Sequence, residues 1–473
     1  MTSRPSIQLA LLMGEGFLLL LSGGAMFVVI SRCAGPDLLG EYSLVFAWMM
    51  LAGGLASFGI PEFIMRELGR LEEAGGRHAV HGLAIGSAFS VAATLLMAAV
   101  VPLFGYAAPL RSALWIASLA LLPMMIAGIC RSGFLARRQM HLLFAVAACE
   151  TAIVVTINAA LVLGGHGIVA LTTTLLAGKL VASTLALFLL NRHAVPLRFE
   201  FDRAFARELL GPIVIFGLSN ALGMVALRIN TIMLSVWGTM AAVGQYAVAT
   251  KLVEITLIVP SLFNQLMLPR LARRYATEGT RSLGGLEASF ASFFALAIPA
   301  GVGVMVFAEP ILTLIFGDRF AEAAAVLRVL MICFLVECLD GLLGVILKAA
   351  GRQDLDLRVY SANPVVNVLA NFLTIPAWGG VGAGISKLVA TLCSSSLRIF
   401  VVARAVAPMG WFRLAAKPAA IAAVAAACAV PLLGTVHGVV LAAGYTLACA
   451  ALLAATRAFS FEALRAALGS PAK

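Results

Sequence analysis

Charged side chains interrupt several long apolar stretches of this chain, and they are the residues whose types could support chemistry. They are Glu15, Lys179, Arg228, Lys251, Glu254, Arg328, Glu337, Asp340, Lys387 and Arg398. A charge at the centre of a bilayer costs roughly 2.5–3.5 kcal/mol on insertion scales, so such residues usually face a cavity or a partner of opposite charge. They can therefore bind a charged molecule or carry a coupling ion.

Cations dominate the charges that we expect to line a water-filled lumen. The candidate anion-binding residues are Arg228, Lys251, Lys179 and Lys387. Phosphate and pyrophosphate groups form strong charge-assisted hydrogen bonds with such side chains, so the sequence favours an anionic cargo.

Acidic residues in the same stretches are candidates for carrying a coupling proton or sodium ion. They are Glu15, Glu254 and Asp340. Two alternatives stay open at this point. Glu15 could only balance a neighbouring cation, and the i, i+3 spacing lets Lys251 pair with Glu254.

Glu337 and Asp340 share the i, i+3 spacing and carry the same charge. They need a cation, a proton or a basic neighbour, for which Arg328 and Lys348 are the nearest candidates along the chain. For charges near the ends of spans, such as Arg398 and Glu150, a side chain that reaches the water interface is the simpler interpretation.

Sequence motifs for metal binding, nucleotide hydrolysis and hydrolytic catalysis are missing. The eight cysteines form no CxxC pair, and the sequence has no P-loop, HExxH or GxSxG stretch. The sequence therefore predicts no resident metal or cofactor and a protein that is not an enzyme.

Long apolar helices must position these charges. The chain has 473 residues, of which 62% are hydrophobic and 12% charged, whereas soluble domains are about 45–50% apolar and about 25% charged. A spanning helix needs about 20 apolar residues. We predict an all-α polytopic membrane protein with about fourteen spans, near 8–30, 41–60, 82–105, 110–130, 142–164, 167–190, 211–237, 243–268, 288–308, 324–349, 358–377, 380–403, 415–435 and 438–456.

Arginine and lysine concentrate in every second gap between these spans. The gap after the fourth span, for example, holds Arg131, Arg137 and Arg138. The positive-inside rule places those gaps and both termini in the cytoplasm, so we predict a multi-pass protein of the bacterial inner membrane. The net charge of +11 then reflects loops beside anionic lipid headgroups and gives no reason to expect nucleic acid as a partner.

The two halves of the chain repeat each other. Gly40-Glu41-Tyr42 matches Gly244-Gln245-Tyr246, Arg138-Gln139 matches Arg352-Gln353, and Lys179-Leu180-Val181-Ala182 matches Lys387-Leu388-Val389-Ala390. Parallel repeats of this kind are typical of transporters that work by alternating access, although a duplicated scaffold without transport function is an alternative.

The repeat predicts four regions. They are a six-helix lobe over 1–190, a cytoplasmic linker over 191–210, a second six-helix lobe over 211–405, and two extra helices with a cytoplasmic tail over 406–473. Phe199, Phe201 and Phe205 in the linker fit either a helix lying on the inner leaflet or a solvated connector.

Ordered motifs in the second half resemble the polysaccharide-transporter (O-antigen flippase) family, within the superfamily of multidrug, oligosaccharidyl-lipid and polysaccharide exporters. They are Gly211-Pro212-Ile213, Arg228-Ile229-Asn230, Val243-Gly244-Gln245-Tyr246, Leu268-Pro269, Ala350-Gly351-Arg352 and Gly379-Gly380-Val381-Gly382-Ala383. The resemblance covers most of the chain. Asn230 departs from it, because many relatives carry an aspartate there.

The resemblance implies fourteen helices in two lobes and a flippase for an undecaprenyl-pyrophosphate-linked oligosaccharide. Such a cargo would serve O-antigen, capsule or exopolysaccharide synthesis, with a polysaccharide polymerase and its chain-length machinery as candidate partners. A multidrug or small-solute antiporter of the same fold, a lipid II flippase, and an enzyme or assembly scaffold for polysaccharide synthesis stay open as alternatives.

Overall fold

The regular elements of this computed structural model are helices, and the structure describes residues 5–70, 75–197, 202–279, 287–406, 410–433, 438–456 and 459. The helices of the first half are α1 (Pro5–Cys33), α2 (Pro36–Ser57), α3 (Ile60–Arg70), α4 (Gly75–Val100), α5 (Ala108–Leu119), α6 (Leu121–Ala136), α7 (Met140–Leu163), α8 (Ile168–Leu189) and α9 (Arg203–Trp237). Those of the second half are α10 (Met240–Thr256), α11 (Ile258–Glu278), α12 (Glu287–Val306), α13 (Ala308–Phe316), α14 (Ala323–Ala349), α15 (Gln353–Ala405), α16 (Trp411–Ala429) and α17 (Gly438–Ala455).

Twelve helical stretches of the described residues are long and apolar enough to cross a membrane. The stretch over α15 contains two predicted spans, which meet at Gly379, where φ is 54° and ψ is −127°. The seventh predicted span lies in α9, whose apolar part is Gly223–Trp237. The prediction of an all-α polytopic membrane protein is confirmed, and the count of fourteen is approximate.

Helix contacts divide the chain into two compact units, Met1–Gly244 and Gln245–Lys473. In the first unit, α1 packs on α7, α2 packs on α4 and α9, and α6 packs on α3, α4 and α8. In the second unit, α14 packs on α15 and α11, and α12 packs on α14 and α16. Each unit has its own buried apolar cluster, built around residues such as Ile64 and Phe134 in the first and Phe307 in the second.

The repeated glycines Gly40 and Gly244 face each other within the first unit. A Cβ atom on Gly40 would lie 1.9 Å from the carbonyl oxygen of Met240, and one on Gly244 would lie 2.1 Å from that of Pro36. Only glycine allows two backbones to approach this closely. The repeat therefore preserves a backbone contact at the start of α2 and of α10.

The turns after α6 and α14 have the same backbone hydrogen bonds. The N–H groups of Gln139 and Arg352 each donate to the carbonyl five residues earlier, and the residues before them, Arg138 and Gly351, have φ values of 55° and 72°. The structure thus pairs Arg138 with Gly351, one position away from the register that the sequence match suggested. Arg138 occupies a left-handed conformation that glycine adopts at lower cost.

Asp202 caps the first turn of α9. Its Oδ1 accepts hydrogen bonds from the N–H groups of Ala204 (2.9 Å) and Phe205 (3.4 Å), and Arg77 Nη2 lies 2.6 Å from Oδ2. The backbone N–H groups of Phe205 and Ala204, followed by the Arg77 guanidinium, lower the pKa of Asp202. Such a cap fixes the start of the helix.

The connector before α9 is fixed to α4. His81 Nε2 accepts a hydrogen bond from the N–H of Asp202 (2.9 Å), and the Phe205 and His81 ring centroids are 4.9 Å apart. Phe205 therefore packs against α4. Phe199 and Phe201 of the predicted surface helix lie outside the described residues.

Candidate charge sites within the helices

A cavity of about 220 Å³ in the first unit, bounded by α1, α6, α7 and α8, contains two acid–base pairs. In the first, Arg131 Nε and Nη2 donate to Glu15 Oε1 (3.1 Å) and Oε2 (2.8 Å). Two parallel bonds of this kind give strength and direction. The predicted loop position of Arg131 is wrong, because Arg131 lies within α6 and contacts an acid on α1.

Lys179 and Glu150 form the second pair in this cavity. Lys179 Nζ lies 2.6 Å from Glu150 Oε1. A Cβ on Gly178 would lie 2.4 Å from Val154 Cγ2, so glycine at this position lets α8 approach α7 closely. Glu150, for which the sequence suggested a side chain reaching the interface, is the direct partner of Lys179.

In the second unit, Lys251 Nζ lies 2.9 Å from Glu254 Oε2, as their i, i+3 spacing predicts. Lys387 Nζ on α15 lies 3.1 Å from Glu337 Oε1 on α14. Each of the three lysines expected to bind an anion thus contacts a glutamate within its own unit.

Asp340 belongs to a larger charge network that involves the C-terminal half of α14 and both parts of α15. Its carboxylate contacts Arg398 Nη1 and accepts a hydrogen bond from Ser395 Oγ (3.0 Å). Arg398 also contacts Asp356, which lies near Lys348. The expected partners Arg328 and Lys348 are not the observed ones: Arg398 pairs with Asp340, and Lys387 with Glu337.

Arg228 lies on α9 in the first unit, with its guanidinium carbon 5.5 Å from the centre of the Phe46 ring on α2. This is cation–π geometry, in which the ring face attracts the cation. The predicted anion-binding residue Arg228 is therefore held by an aromatic ring.

Three residues of these charged sites were not predicted from the sequence, namely Arg131, Glu150 and Asp356. A signal for Glu150 is present in the α7–α8 hairpin. Glu150 precedes Gly164 by fourteen residues (164 − 150), and Lys179 follows Gly165 by fourteen (179 − 165). In an antiparallel helix pair, equal distances from the turn place two residues at the same height.

Comparison with known proteins agrees with this architecture. One relative is a probable low-salt glycan biosynthesis flippase, Agl15 of Haloferax volcanii, which is 25% identical over 31% of this chain and 32% of its own length. The matched segment therefore spans about a third of that relative.

Solved structures show the same fold. The lipid II flippase MurJ, in an inward closed conformation, has a TM-score of 0.75 and 11% identity, covering 95% of this chain and 100% of its own. An inward-facing multidrug resistance MATE family transporter of the MOP superfamily has a TM-score of 0.65 and 15% identity, covering 88% of this chain and 99% of its own. At these identities the likeness shows the fold.

Residues 29–325, more than half of the sequence, match a single protein family. That match covers the end of α1, α2 to α13 and the first residues of α14, and it includes the Lys179–Glu150 pair and Arg131, whereas Glu15 precedes it. The chain belongs to the family of polysaccharide biosynthesis proteins.

Proposed function

We propose that this protein is a flippase that moves an undecaprenyl-pyrophosphate-linked oligosaccharide repeat unit across the inner membrane for surface polysaccharide synthesis. The observation that carries the proposal is membership of a polysaccharide biosynthesis family by a chain with a MurJ-like fold of membrane-spanning helices. Similarity to a glycan biosynthesis flippase supports it. Both termini are proposed to lie in the cytoplasm, and transport by alternating access is part of the proposal.

The charged pairs suggest how an anionic cargo could be held. Lys179, Lys251 and Lys387 each have one carboxylate oxygen within about 3 Å and keep roughly a fifth of the side chain exposed. A pyrophosphate group offers more oxygen acceptors than a single carboxylate and forms similar charge-assisted bonds. In the proposed mechanism an anionic group of the cargo replaces the glutamate as the partner of a lysine, and Arg228 supplies a further cation in the first unit.

Paired lysines of this kind favour a cargo that brings its own negative charge. A neutral solute cannot compensate for the lost glutamate contact, and a cation is repelled by the ammonium group. The glutamates therefore act in this proposal as competitors for the lysines, so that only an anion displaces them.

The acidic residues of the charged pairs are proposed to couple transport to an ion. Glu15, Glu254 and Asp340 are the candidates, and each contacts a cation in the structure. A proton that neutralises such an acid would release its basic partner. The released cation could then bind the anionic cargo, so that proton binding and cargo binding are linked.

Paired substitutions at Lys179 and Glu150 test the binding role. Lys179→Gln should weaken binding of the purified lipid-linked oligosaccharide, whereas Glu150→Gln should leave it unchanged or strengthen it, because the competitor is removed. If the pair only holds α7 to α8, both variants will lower binding and stability together. Lys417→Gln, at an exposed lysine of α16, serves as a control of equal charge change.

A deletion strain tests the cargo. We expect an oligosaccharide-diphosphate lipid to accumulate on the cytoplasmic leaflet, and mass spectrometry of that lipid would identify the sugar. Normal leaflet distribution with loss of polymer would instead indicate an enzyme or an assembly scaffold.

A second candidate function is ion-coupled export of small solutes, which the MATE-like fold favours. Protection of cells against cationic dyes, with unchanged surface polysaccharide, would support it over the flippase. Loss of viability on depletion would point to lipid II as the cargo.

A further inference from the structure

Arg131 is the most exposed of the four charged side chains that line the cavity of the first unit. Its side chain is 46% exposed, whereas those of Lys179 and Glu150 are 22% and 20% exposed and that of Glu15 is 4% exposed. The cavity has a volume of about 220 Å³, and a water molecule needs about 30 Å³ in the liquid. The guanidinium of Arg131 therefore faces a space that has room for several water molecules or for a phosphate group.

Glu15 uses only one edge of that guanidinium. Arg131 Nε and Nη2 donate to the two oxygens of the Glu15 carboxylate, at 3.1 and 2.8 Å. A guanidinium carries five N–H donors in a planar fork, so the two donors of Nη1 and one of Nη2 are left over. In the part of the chain that the structure describes, Nη1 makes no hydrogen bond. The edge between Nη1 and Nη2 is thus a second, open fork of donors.

The buried carboxylate holds this open edge in place. Glu15 lies on α1 and Arg131 on α6, and their two parallel hydrogen bonds fix the plane of the guanidinium as well as its position. A cation that is already oriented loses less conformational entropy when it binds an anion. The lysines of the charged pairs differ, because each ammonium group must first lose its glutamate contact.

Arg131 also lies nearer than Lys179 to the predicted cytoplasmic ends of their helices. Gly133 of α6 packs against Leu190, the residue after α8, since a Cβ on Gly133 would lie 2.4 Å from Leu190 Cδ1. Arg131 is within one helical turn of this contact, whereas Lys179 precedes Leu190 by about three turns. An anion that enters the cavity from those ends therefore meets Arg131 before Lys179.

We propose that the open edge of Arg131 binds a phosphate group of the cargo, and that Glu15 is the positioning residue that orients it. Two oxygens of one phosphate group match the planar fork of Nη1 and Nη2, as in other bidentate arginine–phosphate pairs. Glu15 stays paired while the phosphate binds, so Arg131 holds the anion without the exchange of partners that Lys179 requires. The inference rests on the proposed function, in that it names the residue that first receives the pyrophosphate-linked cargo.

Isothermal titration calorimetry tests the site in the absence of transport, with the full-length protein in phosphatidylcholine nanodiscs and inorganic pyrophosphate as the probe. Arg131→Lys keeps a positive charge beside Glu15 but loses the fork, so we expect the affinity to fall by about tenfold or more while thermal stability is unchanged. Arg192→Lys, at an exposed arginine just after α8, is the matched control and should change the affinity by less than about twofold.

Glu15→Gln separates orientation from competition. It should weaken pyrophosphate binding roughly two- to tenfold, which is the cost of ordering one flexible side chain, whereas Glu150→Gln should leave binding unchanged or strengthen it. Equal or tighter binding in Glu15→Gln would overturn the proposal, because Glu15 would then be a competitor for its cation, as proposed for Glu150. This comparison decides the question if Arg131→Lys does not fold.

Unchanged affinity in Arg131→Lys, or no binding of pyrophosphate to the unmodified chain, would also overturn the proposal. A purely structural Arg131 would instead lower thermal stability and leave the affinity of the folded fraction unchanged. Repeating the titrations in nanodiscs that contain phosphatidylglycerol separates cargo from membrane lipid. A loss of affinity that the unmodified chain shows and Arg131→Lys does not would assign the fork to a phospholipid headgroup and overturn its assignment to cargo.

The calorimetry measures binding and not movement of lipid. A failed Arg131 site therefore leaves the flippase proposal standing, because other cations can hold the cargo. If lipid-linked oligosaccharide is not moved between leaflets, the flippase proposal fails while a measured pyrophosphate site at Arg131 remains.

Discussion

The Glu15–Arg131 pair predicts an asymmetric response to mutation. The Glu15 side chain is 4% exposed, whereas that of Arg131 is 46% exposed. Removing one partner of a buried ion pair costs about 3–5 kcal/mol, because an uncompensated charge is left behind. Arg131→Gln leaves the buried carboxylate without its cation. Water in the cavity screens part of this cost, so we expect the free energy of unfolding to fall by roughly 2–3 kcal/mol.

Removing the acid of this pair should lower the free energy of unfolding less. Glu15→Gln leaves an arginine that can turn towards the cavity and be hydrated, so the expected loss is about 1 kcal/mol or less. The double variant should then be more stable than the sum of the single changes predicts, with a coupling energy of about 1–2 kcal/mol.

The assay is the free energy of unfolding of the purified protein, measured by denaturant titration in mixed micelles. The control cycle uses Arg77→Gln and Asp202→Asn, a pair with both side chains about half exposed, for which we expect a smaller coupling because water screens the charges. Additive costs for Glu15 and Arg131, or a larger loss in Glu15→Gln than in Arg131→Gln, would refute the burial argument.

Three further predictions concern the backbone and the connector. Gly40→Ala should sharply reduce the yield of folded protein, because its Cβ would lie 1.9 Å from the Met240 carbonyl oxygen, whereas Gly16→Ala, with no atom within 4 Å, should not; detergent size-exclusion profiles of both variants check this. Arg138→Gly should raise the free energy of unfolding by between zero and about 1 kcal/mol. Glycine adopts the left-handed conformation at lower cost than arginine, but it also increases the entropy of the unfolded chain. A clear loss of stability would contradict the strain argument. The low pKa of Asp202 contributes stability that is present above its ordinary pKa of about 3.9 and is lost as pH falls through the lowered folded-state pKa; hydrogen exchange at the start of α9 should show this acid sensitivity in the unmodified chain and lose it in Asp202→Ala.

The sequence alone predicts features that depend on local spacing or on the apolar pattern. The helical, polytopic class follows from apolar run lengths, and the Lys251–Glu254 contact follows from the geometry of a single helix. The glycines of the repeat, Gly40 and Gly244, were recognised from sequence, but not the backbone contact that requires them.

Partners on different helices could not be predicted in the same way. Arg398 contacts Asp340 and Asp356 because α14 and two separated parts of α15 pack together, and no local spacing encodes that arrangement. Arg131 was assigned to a loop because a basic residue near the end of an apolar stretch usually sets topology. Its role as the cation that balances Glu15 becomes visible only when α1 and α6 are packed together.

The central claim is movement of a lipid-linked oligosaccharide between leaflets, and reconstitution tests it most directly. The purified protein is placed in vesicles together with the polyprenyl-pyrophosphate oligosaccharide isolated from the deletion strain, and a membrane-impermeant glycosidase reports the fraction of sugar that it can reach over time. We expect the initially protected fraction to become accessible with the unmodified chain and Lys387→Ala to slow this change. Accessibility equal to that of protein-free vesicles would contradict the account.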